Sequence, residues 1–225
     1  MKYHLIRALL LSGLLSAVLY ITTDLIASFQ YPGYRILDQN YSELLATGAP
    51  TRPFLLVASA FYNFLVAAFA IGVWNSSGPK HTARITGAVM LAYALISMIT
   101  PMFFQMDMRG ALETPRGSLH PPMTAVMSLF ILLSIGFGAF LLKGWFRWYS
   151  FTTLVIIIAF GIITSFQAPE LSKGQPTPWM GLTERVNIYC TMLWFSLLSI
   201  LLLRAQPLNL PVKATVKQQN PDHPE

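Results

Sequence analysis

Residues 149–167 read YSFTTLVIIIAFGIITSFQ and contain no charged side chain. At 1.5 Å per residue, a helix of this length can cross the hydrocarbon core of a bilayer, which is roughly 30 Å thick. Five further apolar segments of comparable length lie elsewhere along the chain: residues 5–29, 53–74, 84–104, 121–143 and 183–204. The sequence therefore predicts an all-α fold, a polytopic membrane helical bundle with six transmembrane helices.

The composition of the chain excludes a soluble enzyme. Of its 225 residues, 54% are hydrophobic and only 11% are charged, whereas about a quarter of the residues in an average soluble domain are charged. The basic residues behind the net charge of +6 are scattered, so membrane lipids are the expected partners and nucleic acid is not. The single cysteine, Cys190, excludes a disulfide within this chain and a cysteine-based zinc or iron–sulfur site.

The distribution of charge predicts the domains and their orientation. Residues 1–204 are expected to form the six-span transmembrane domain, and residues 205–225 a disordered cytoplasmic tail. With the N-terminus inside, the inner segments hold nine basic and two acidic residues, and the outer segments hold six basic and seven acidic ones. The nine inner basic residues are Lys2, Arg7, Lys80, Arg84, Lys143, Arg147, Arg204, Lys213 and Lys217. Because basic residues accumulate on cytoplasmic loops, we expect a cell-membrane protein with both termini in the cytoplasm.

The first outer loop contains a segment with helical periodicity, residues 35–46. Its apolar face comprises Tyr34, Leu37, Tyr41, Leu44 and Leu45. Its polar face comprises Arg35, Asp38, Gln39, Ser42 and Glu43. Two separated faces of this kind predict a short interfacial helix that lies on the outer membrane surface.

Polar side chains recur at helical spacing in the outer halves of several spans. The three stripes are His120, Thr124 and Ser128; Tyr93, Ser97, Thr100 and Asp107; and Glu184, Asn187 and Thr191. Side chains three and four residues apart share a helix face, and a polar face is costly when it is exposed to lipid. The three stripes should therefore turn toward the interior of the bundle, and together they predict a polar pocket that opens to the outer side. A simpler interpretation is also open, since Ser and Thr in membrane helices often only bond a backbone carbonyl.

The ionisable residues of these stripes are the candidate site. We expect Asp107, His120 and Glu184 to approach one another at the outer end of the bundle, with Ser42 and Arg185 nearby. Three chemistries fit such a set: a mixed carboxylate–imidazole metal site, a Ser42–His120 nucleophile and base, or a charge network that only joins the helices. The chain has no phosphate loop, nucleophile elbow or helical zinc motif, so no cofactor or metal is specified.

Three groups of motifs resemble one protein family. They are Gly33-Tyr34, Gln39-x-x-Ser42-Glu43-Leu44 and residues 48–53 in the first loop; Asp107 and Gly117-Ser118-Leu119-His120; and Gly181-Leu182-x-Glu184-Arg185 with Trp194. This pattern is similar, over about residues 8–204, to the bacterial membrane proteins grouped as domain of unknown function 998. The resemblance implies six membrane spans. It also implies that the recurrent polar positions of the family are Ser42, Glu43, Asp107, His120, Glu184 and Arg185.

Two classes of function are compatible with these features. The first is a non-enzymatic module whose outer polar pocket binds or transports a lipid head group or small solute. The second is a membrane-embedded hydrolase that acts on a lipid or amide bond with a carboxylate–histidine site, with or without a metal. Binding needs only a cavity with polar walls, whereas catalysis also needs a positioned nucleophile or metal-bound water. Recognised catalytic motifs are absent from the sequence, so binding is the favoured prediction.

Overall fold

The computed structural model of the protein describes residues 2–76 and 79–206. In this part of the chain there are eight helices and no strand. The helices are α1 (Lys2–Gln30), α2 (Tyr41–Leu44), α3 (Arg52–Trp74), α4 (Lys80–Phe103), α5 (His120–Gly138), α6 (Trp145–Ser165), α7 (Ala168–Ser172) and α8 (Met180–Ala205). The six long helices are long and apolar enough to cross a membrane, and they confirm the predicted all-α bundle of six spans. The predicted tail lies outside the described residues from position 207 onward.

Some helix ends differ from the predicted bounds for local reasons. Helix α4 begins at Lys80 rather than 84, directly after Pro79, whose φ of −54° is compatible with the start of a helix. Its first turn is polar, so the apolar segment covers only the later part of the helix. Helix α5 ends at Gly138 rather than 143, and the short connection to α6 turns at Gly144, which has a φ of +79°. Helix α4 also stops at Phe103, two residues after Pro101.

The six long helices form a closed ring. Each packs against the next in the order α1, α3, α4, α5 and α6, and α8 completes the ring between α6 and α1. The interior is filled by large buried side chains, among them Phe69, Phe146, Trp194 and Phe195. Many apolar side chains on the outside of the ring are exposed, which is the distribution expected for a surface that faces lipid.

Small residues allow neighbouring helices to approach closely. A Cβ atom at Gly72 in α3 would lie 2.9 Å from the backbone of Leu10 in α1. A Cβ atom at Gly87 in α4 would lie 2.7 Å from the carbonyl oxygen of Ala70 in α3. Backbone contacts of this kind are a common source of helix association in membranes, where no hydrophobic force draws the helices together.

The connections between the helices differ in length at the two ends of the ring. At one end, residues 75–79 and 139–144 are short links. At the other end, which we call the loop end, the helices are joined by loop 1 (residues 31–51), loop 2 (residues 104–119) and loop 3 (residues 166–179). Loop 1 contains α2 and loop 3 contains α7. The predicted site residues all lie at this loop end.

The predicted helix over residues 35–46 is shorter than expected and does not keep its two faces. Only Tyr41–Leu44 are helical, and residues 36–38 form a turn. Leu37, assigned to the buried face, is 46% exposed, whereas Glu43, assigned to the polar face, is buried. The physical reason is that α2 is held by specific polar bonds: Asn40 caps it, and Glu43 completes a capping box with the backbone N–H of Asn40.

Candidate functional site

A buried ion pair joins the first and last membrane helices just below the loop end. The carboxylate of Asp24 in α1 accepts two hydrogen bonds from Arg185 in α8, from Nε at 3.0 Å and from Nη2 at 2.9 Å. The side chain of Asp24 is fully buried and that of Arg185 is 5% exposed. Asp24 also accepts from the hydroxyls of Tyr189 at 2.6 Å and Ser28 at 3.3 Å. A two-bond pairing with this many additional donors is the geometry that offsets the cost of burying two charges.

Arg185 also fixes loop 1 above the ion pair. Its Nη1 donates to the carbonyl oxygens of Ile36 at 2.8 Å and Gln39 at 3.1 Å, and its Nη2 donates to the Tyr34 hydroxyl at 2.8 Å. The single hydroxyl hydrogen of Tyr34 is in turn shared between the carbonyl oxygens of Gln39 and Asn40, at 2.9 and 2.8 Å. Burial raises the pKa of Tyr34 above its usual range, although Arg185 partly opposes this, so the hydroxyl remains protonated and able to donate.

Glycine at position 181 makes this contact between α8 and loop 1 sterically feasible. A Cβ atom there would lie 2.3 Å from the carbonyl oxygen of Gln39 and 2.4 Å from that of Ile36. The backbone N–H of the next residue, Leu182, donates to the carbonyl oxygen of Leu37 at 2.9 Å. Gly181 and Arg185 therefore hold loop 1 against the start of α8.

A second ion pair joins the three loops to one another. Arg109 of loop 2 donates from Nε and Nη2 to the two carboxylate oxygens of Glu43 in loop 1, at 3.0 and 2.7 Å. The same guanidinium donates to two groups of loop 3, the carbonyl oxygen of Gln175 and the hydroxyl of Thr177. Thr177 then donates to the carbonyl oxygen of Asp38 in loop 1. Glu43 and Arg109 thus lie at the junction of the three loops.

Glu184 lies close to both ion pairs but belongs to neither. Its carboxylate accepts a short hydrogen bond from the backbone N–H of Tyr41 at the start of α2. Its electrostatic neighbours are Arg185, Asp24 and Glu43. Over residues 2–76 and 79–206, no Lys, Arg or His side chain forms an ion pair with it. Taken as a whole residue, Glu184 has intermediate exposure.

Asp107 and His120 form their hydrogen bonds within loop 2 and with the helix ends that flank it. Because α4 ends at Phe103, Asp107 is in loop 2 and not on the helical stripe with Tyr93, Ser97 and Thr100. Asp107 accepts from the backbone N–H and the hydroxyl of Thr114 at 2.8 and 2.9 Å. The Nδ1 atom of His120 lies 2.8 Å from the carbonyl oxygen of Phe104, so His120 ties the start of α5 to the end of α4.

The contacts divide the six candidate residues into groups. Glu43, Glu184 and Arg185 surround the junction of loop 1 with α8, while Asp107 and His120 bond within loop 2 and its adjoining helices. Ser42 lies beside Glu43 in α2 and forms no hydrogen bond with His120 in the described part of the chain. In that same part, no three His, Cys, Asp or Glu side chains are grouped as a metal ion would require.

Several hydroxyls in the outer halves of the spans follow the simpler interpretation. Thr100 and Thr191 of the stripes, and Thr23 near the end of α1, each donate to the carbonyl oxygen four residues earlier in their own helix. Such bonds satisfy the hydroxyl within its own helix, so these stripes do not by themselves indicate a pocket.

The sequence interpretation did not single out Asp24 and Arg109 as site residues, although both are central to the geometry. Asp24 had a usable signal, because it is the sole charged residue between Arg7 and Arg35 and lies in an apolar segment. Arg109 had a weaker signal, as one of several arginines near the outer boundary that could hold a phosphate or carboxylate. Which carboxylate it holds depends on three loops whose meeting is set by the tertiary fold.

A comparison with protein families identifies the chain. The family described as Protein of unknown function (DUF998) has a model that matches residues 14–201. The chain belongs to the DUF998 family. No curated protein and no solved structure gives a match. The DUF998 match includes both ion pairs and all six candidate residues, and it agrees with the resemblance found in the loop motifs.

Proposed function

We propose that the loop end of this DUF998 protein binds a small, positively charged ligand, either an amine-bearing lipid head group or a cationic solute. Glu184 is the anionic contact in this proposal. The observation that carries it is the Glu184 carboxylate, which accepts one backbone hydrogen bond and has no ion-pair partner in the described part of the chain. Ionisable groups at membrane depth usually mark a ligand or ion pathway.

The local balance of charge supports a cationic ligand. Asp24 is neutralised by Arg185, and Glu43 is neutralised by Arg109. The carboxylate of Glu184 therefore adds one uncompensated negative charge to the cluster when it is ionised. A partly buried charge of this kind is costly unless an opposite charge is close to it, and a bound ammonium group would supply that charge.

The proposal includes the orientation expected from the loop charges. The loop end would face the extracytoplasmic side, so that the ligand enters from outside or from the outer leaflet. Binding is the step that a transporter and a sensor have in common, and either role would use this site.

A binding measurement with a matched variant tests the proposal. The protein is reconstituted in nanodiscs that contain phosphatidylethanolamine and phosphatidylglycerol, and native mass spectrometry measures which lipid it retains. Thermal unfolding with added ethanolamine tests the soluble alternative. One of the two amine probes should bind to the wild type. We expect Glu184→Gln to weaken the binding of that probe by about tenfold, because a charge-assisted contact is lost.

The control variant is Glu170→Gln, because Glu170 is a loop 3 carboxylate that pairs with the exposed Lys173. This variant should bind like the wild type. Equal binding by wild type and Glu184→Gln, or no binding of either probe by the wild type, would overturn the proposal.

The hydrolase alternative stays a prediction without a supporting contact. It needs a nucleophile and a base within hydrogen-bond reach of each other. Ser42 and His120, the pair proposed for those roles, form no hydrogen bond with each other within the described residues. Binding at Glu184 therefore has the stronger support.

A further inference from the structure

Arg52 is a positively charged side chain held in place at the loop end without an anionic partner. It is the first residue of α3, and its Nη1 donates to the carbonyl oxygen of Leu45 at 2.7 Å. Its Nη2 donates to the carbonyl oxygen of Pro101, near the end of α4, at 3.1 Å. No carboxylate of residues 2–76 or 79–206 forms an ion pair with it.

These two bonds orient the guanidinium but leave part of it unused. A guanidinium has five N–H donors, and two of the five in Arg52 donate to neutral carbonyl oxygens. Arg52 remains partly exposed. The remaining donors can therefore bind an anion, and phosphate is the anion whose geometry best matches a guanidinium fork.

An apolar groove runs along the membrane-facing surface directly below Arg52. It lies between α3 and α4, has a volume of about 560 Å³, and we call it the α3–α4 groove. Its lining residues are Leu56, Val57, Ala60, Phe61, Phe64 and Met98. Leu56 is one turn after Arg52 in α3, and Met98 is one turn before Pro101 in α4, so the groove begins where the guanidinium is anchored.

The dimensions and chemistry of the groove suit a hydrocarbon chain. From Leu56 to Phe64 it extends for roughly 12 Å along the helix axis. Its lining side chains are all apolar, and Phe61 and Phe64 are 64% and 68% exposed. An occupant of this surface must be apolar, because the hydrocarbon core has no water to solvate a polar one.

We propose that Arg52 and the α3–α4 groove form a binding site for an anionic phospholipid. The lipid phosphate binds the guanidinium, and one acyl chain lies in the groove. Charge complementarity selects the occupant. Arg52 is a fixed cation without a carboxylate partner, and it lies at the end of an apolar groove. The phosphate of a bilayer lipid lies at the same level when its acyl chain occupies such a groove. This site is separate from Glu184 and does not depend on the function proposed above.

Lipid retention by variants tests this proposal. Wild-type protein in nanodiscs of phosphatidylglycerol and phosphatidylcholine is released into detergent, and native mass spectrometry counts the lipids that stay bound. We expect the wild type to retain phosphatidylglycerol in preference to phosphatidylcholine. Arg52→Gln should weaken the retention of phosphatidylglycerol by about tenfold, because a charge-assisted contact is lost. The control is Arg116→Gln, an exposed arginine of loop 2, which should behave like the wild type.

A second variant keeps the proposal testable if Arg52→Gln fails to fold. Ala60→Phe fills the groove from an exposed position on α3 and leaves Arg52 intact, so it should reduce phosphatidylglycerol retention as well. Retention equal to that of the wild type in the folded variants would overturn the proposal, as would equal retention of the two lipids by the wild type. A wild-type dimer that Ala60→Phe dissociates, with lipid retention unchanged, would instead assign the groove to a second copy of the chain.

Discussion

At the scale of single residues, the pair formed by Asp24 and Arg185 is the feature most closely tied to the membrane environment. The two side chains are 161 residues apart in sequence. Besides each other, they bond Ser28 in α1, Tyr189 in α8 and, in loop 1, Tyr34, Ile36 and Gln39. Because both charges are buried, removing one of them leaves the other uncompensated, which is far more costly than losing an exposed pair.

We expect Asp24→Asn to lower the free energy of unfolding by about 3–5 kcal/mol, the usual cost of breaking a buried ion pair. Thermal or denaturant unfolding in detergent measures the effect. The double variant Asp24→Asn with Arg185→Met should recover part of the loss, since neither side chain then carries a buried charge. The control, Glu170→Gln, removes a partner of an exposed pair and should change stability by less than about 1 kcal/mol. If Asp24→Asn and Glu170→Gln were equally stable, the ion pair of Asp24 with Arg185 would have no structural role.

Part of this residue-level arrangement could be predicted from the sequence. Glu184 and Arg185 were identified through the Gly181-Leu182-x-Glu184-Arg185 motif, but the sequence did not show which of the two has a partner. Their side chains point to different groups because residues next to each other on a helix face different directions. Glu184 meets α2 and Arg185 meets α1, and that difference depends on the packing of three separate segments.

At the scale of elements, the contact between α8 and loop 1 requires a residue without a side chain. Gly181 places its Cα against two backbone carbonyl groups of loop 1, which cannot move as a flexible side chain would. The sequence predicted the six spans well, because hydrophobic length is a local property. It overestimated the helix of loop 1, because periodicity over residues 35–46 did not reveal that Arg185 binds the carbonyl oxygens of Ile36 and Gln39.

We expect Gly181→Ala to destabilise the protein strongly and to loosen loop 1, because the new methyl group would lie 2.3 Å from the Gln39 carbonyl oxygen. Hydrogen exchange over residues 31–51 and the melting temperature measure the two effects. Gly136→Ala in α5 is the matched control, since a Cβ atom there has nothing within 4 Å. That control should be neutral or more stable by up to about 1 kcal/mol, because alanine favours a helix more than glycine does. Equal melting temperatures for the two variants would contradict the close approach at position 181.

At the scale of the whole molecule, the ring of six helices brings three loops together at one end, and the ion pairs fasten them to one another. The number and order of the spans follow from the sequence, whereas the grouping of the candidate residues does not. Asp107 and His120 have local partners, and Glu43, Glu184 and Arg185 have distant ones. The number of residues between two positions does not indicate how close they lie in the fold, because the chain comes back to the same end of the ring only after crossing it twice.

The orientation of the molecule is tested by labelling single cysteines in a Cys190→Ser background. Glu113 in loop 2 and His81 at the start of α4 are both exposed, and they lie at opposite ends of the ring. We expect a membrane-impermeant maleimide to label Glu113→Cys in intact cells and to label His81→Cys only after permeabilisation, because the basic short-link end should be cytoplasmic. Labelling of His81→Cys alone in intact cells would reverse the orientation.

If the Glu184 carboxylate is the contact of a bound cation, a ligand should be visible beside it. An experimental density map of the protein, purified with the lipids of its own membrane, provides the test. We expect density that is not protein, within about 3 Å of the Glu184 oxygen that Tyr41 does not bind, at the distance of a charge-assisted hydrogen bond. A map in which only water or a side chain of this chain meets that oxygen would contradict the claim.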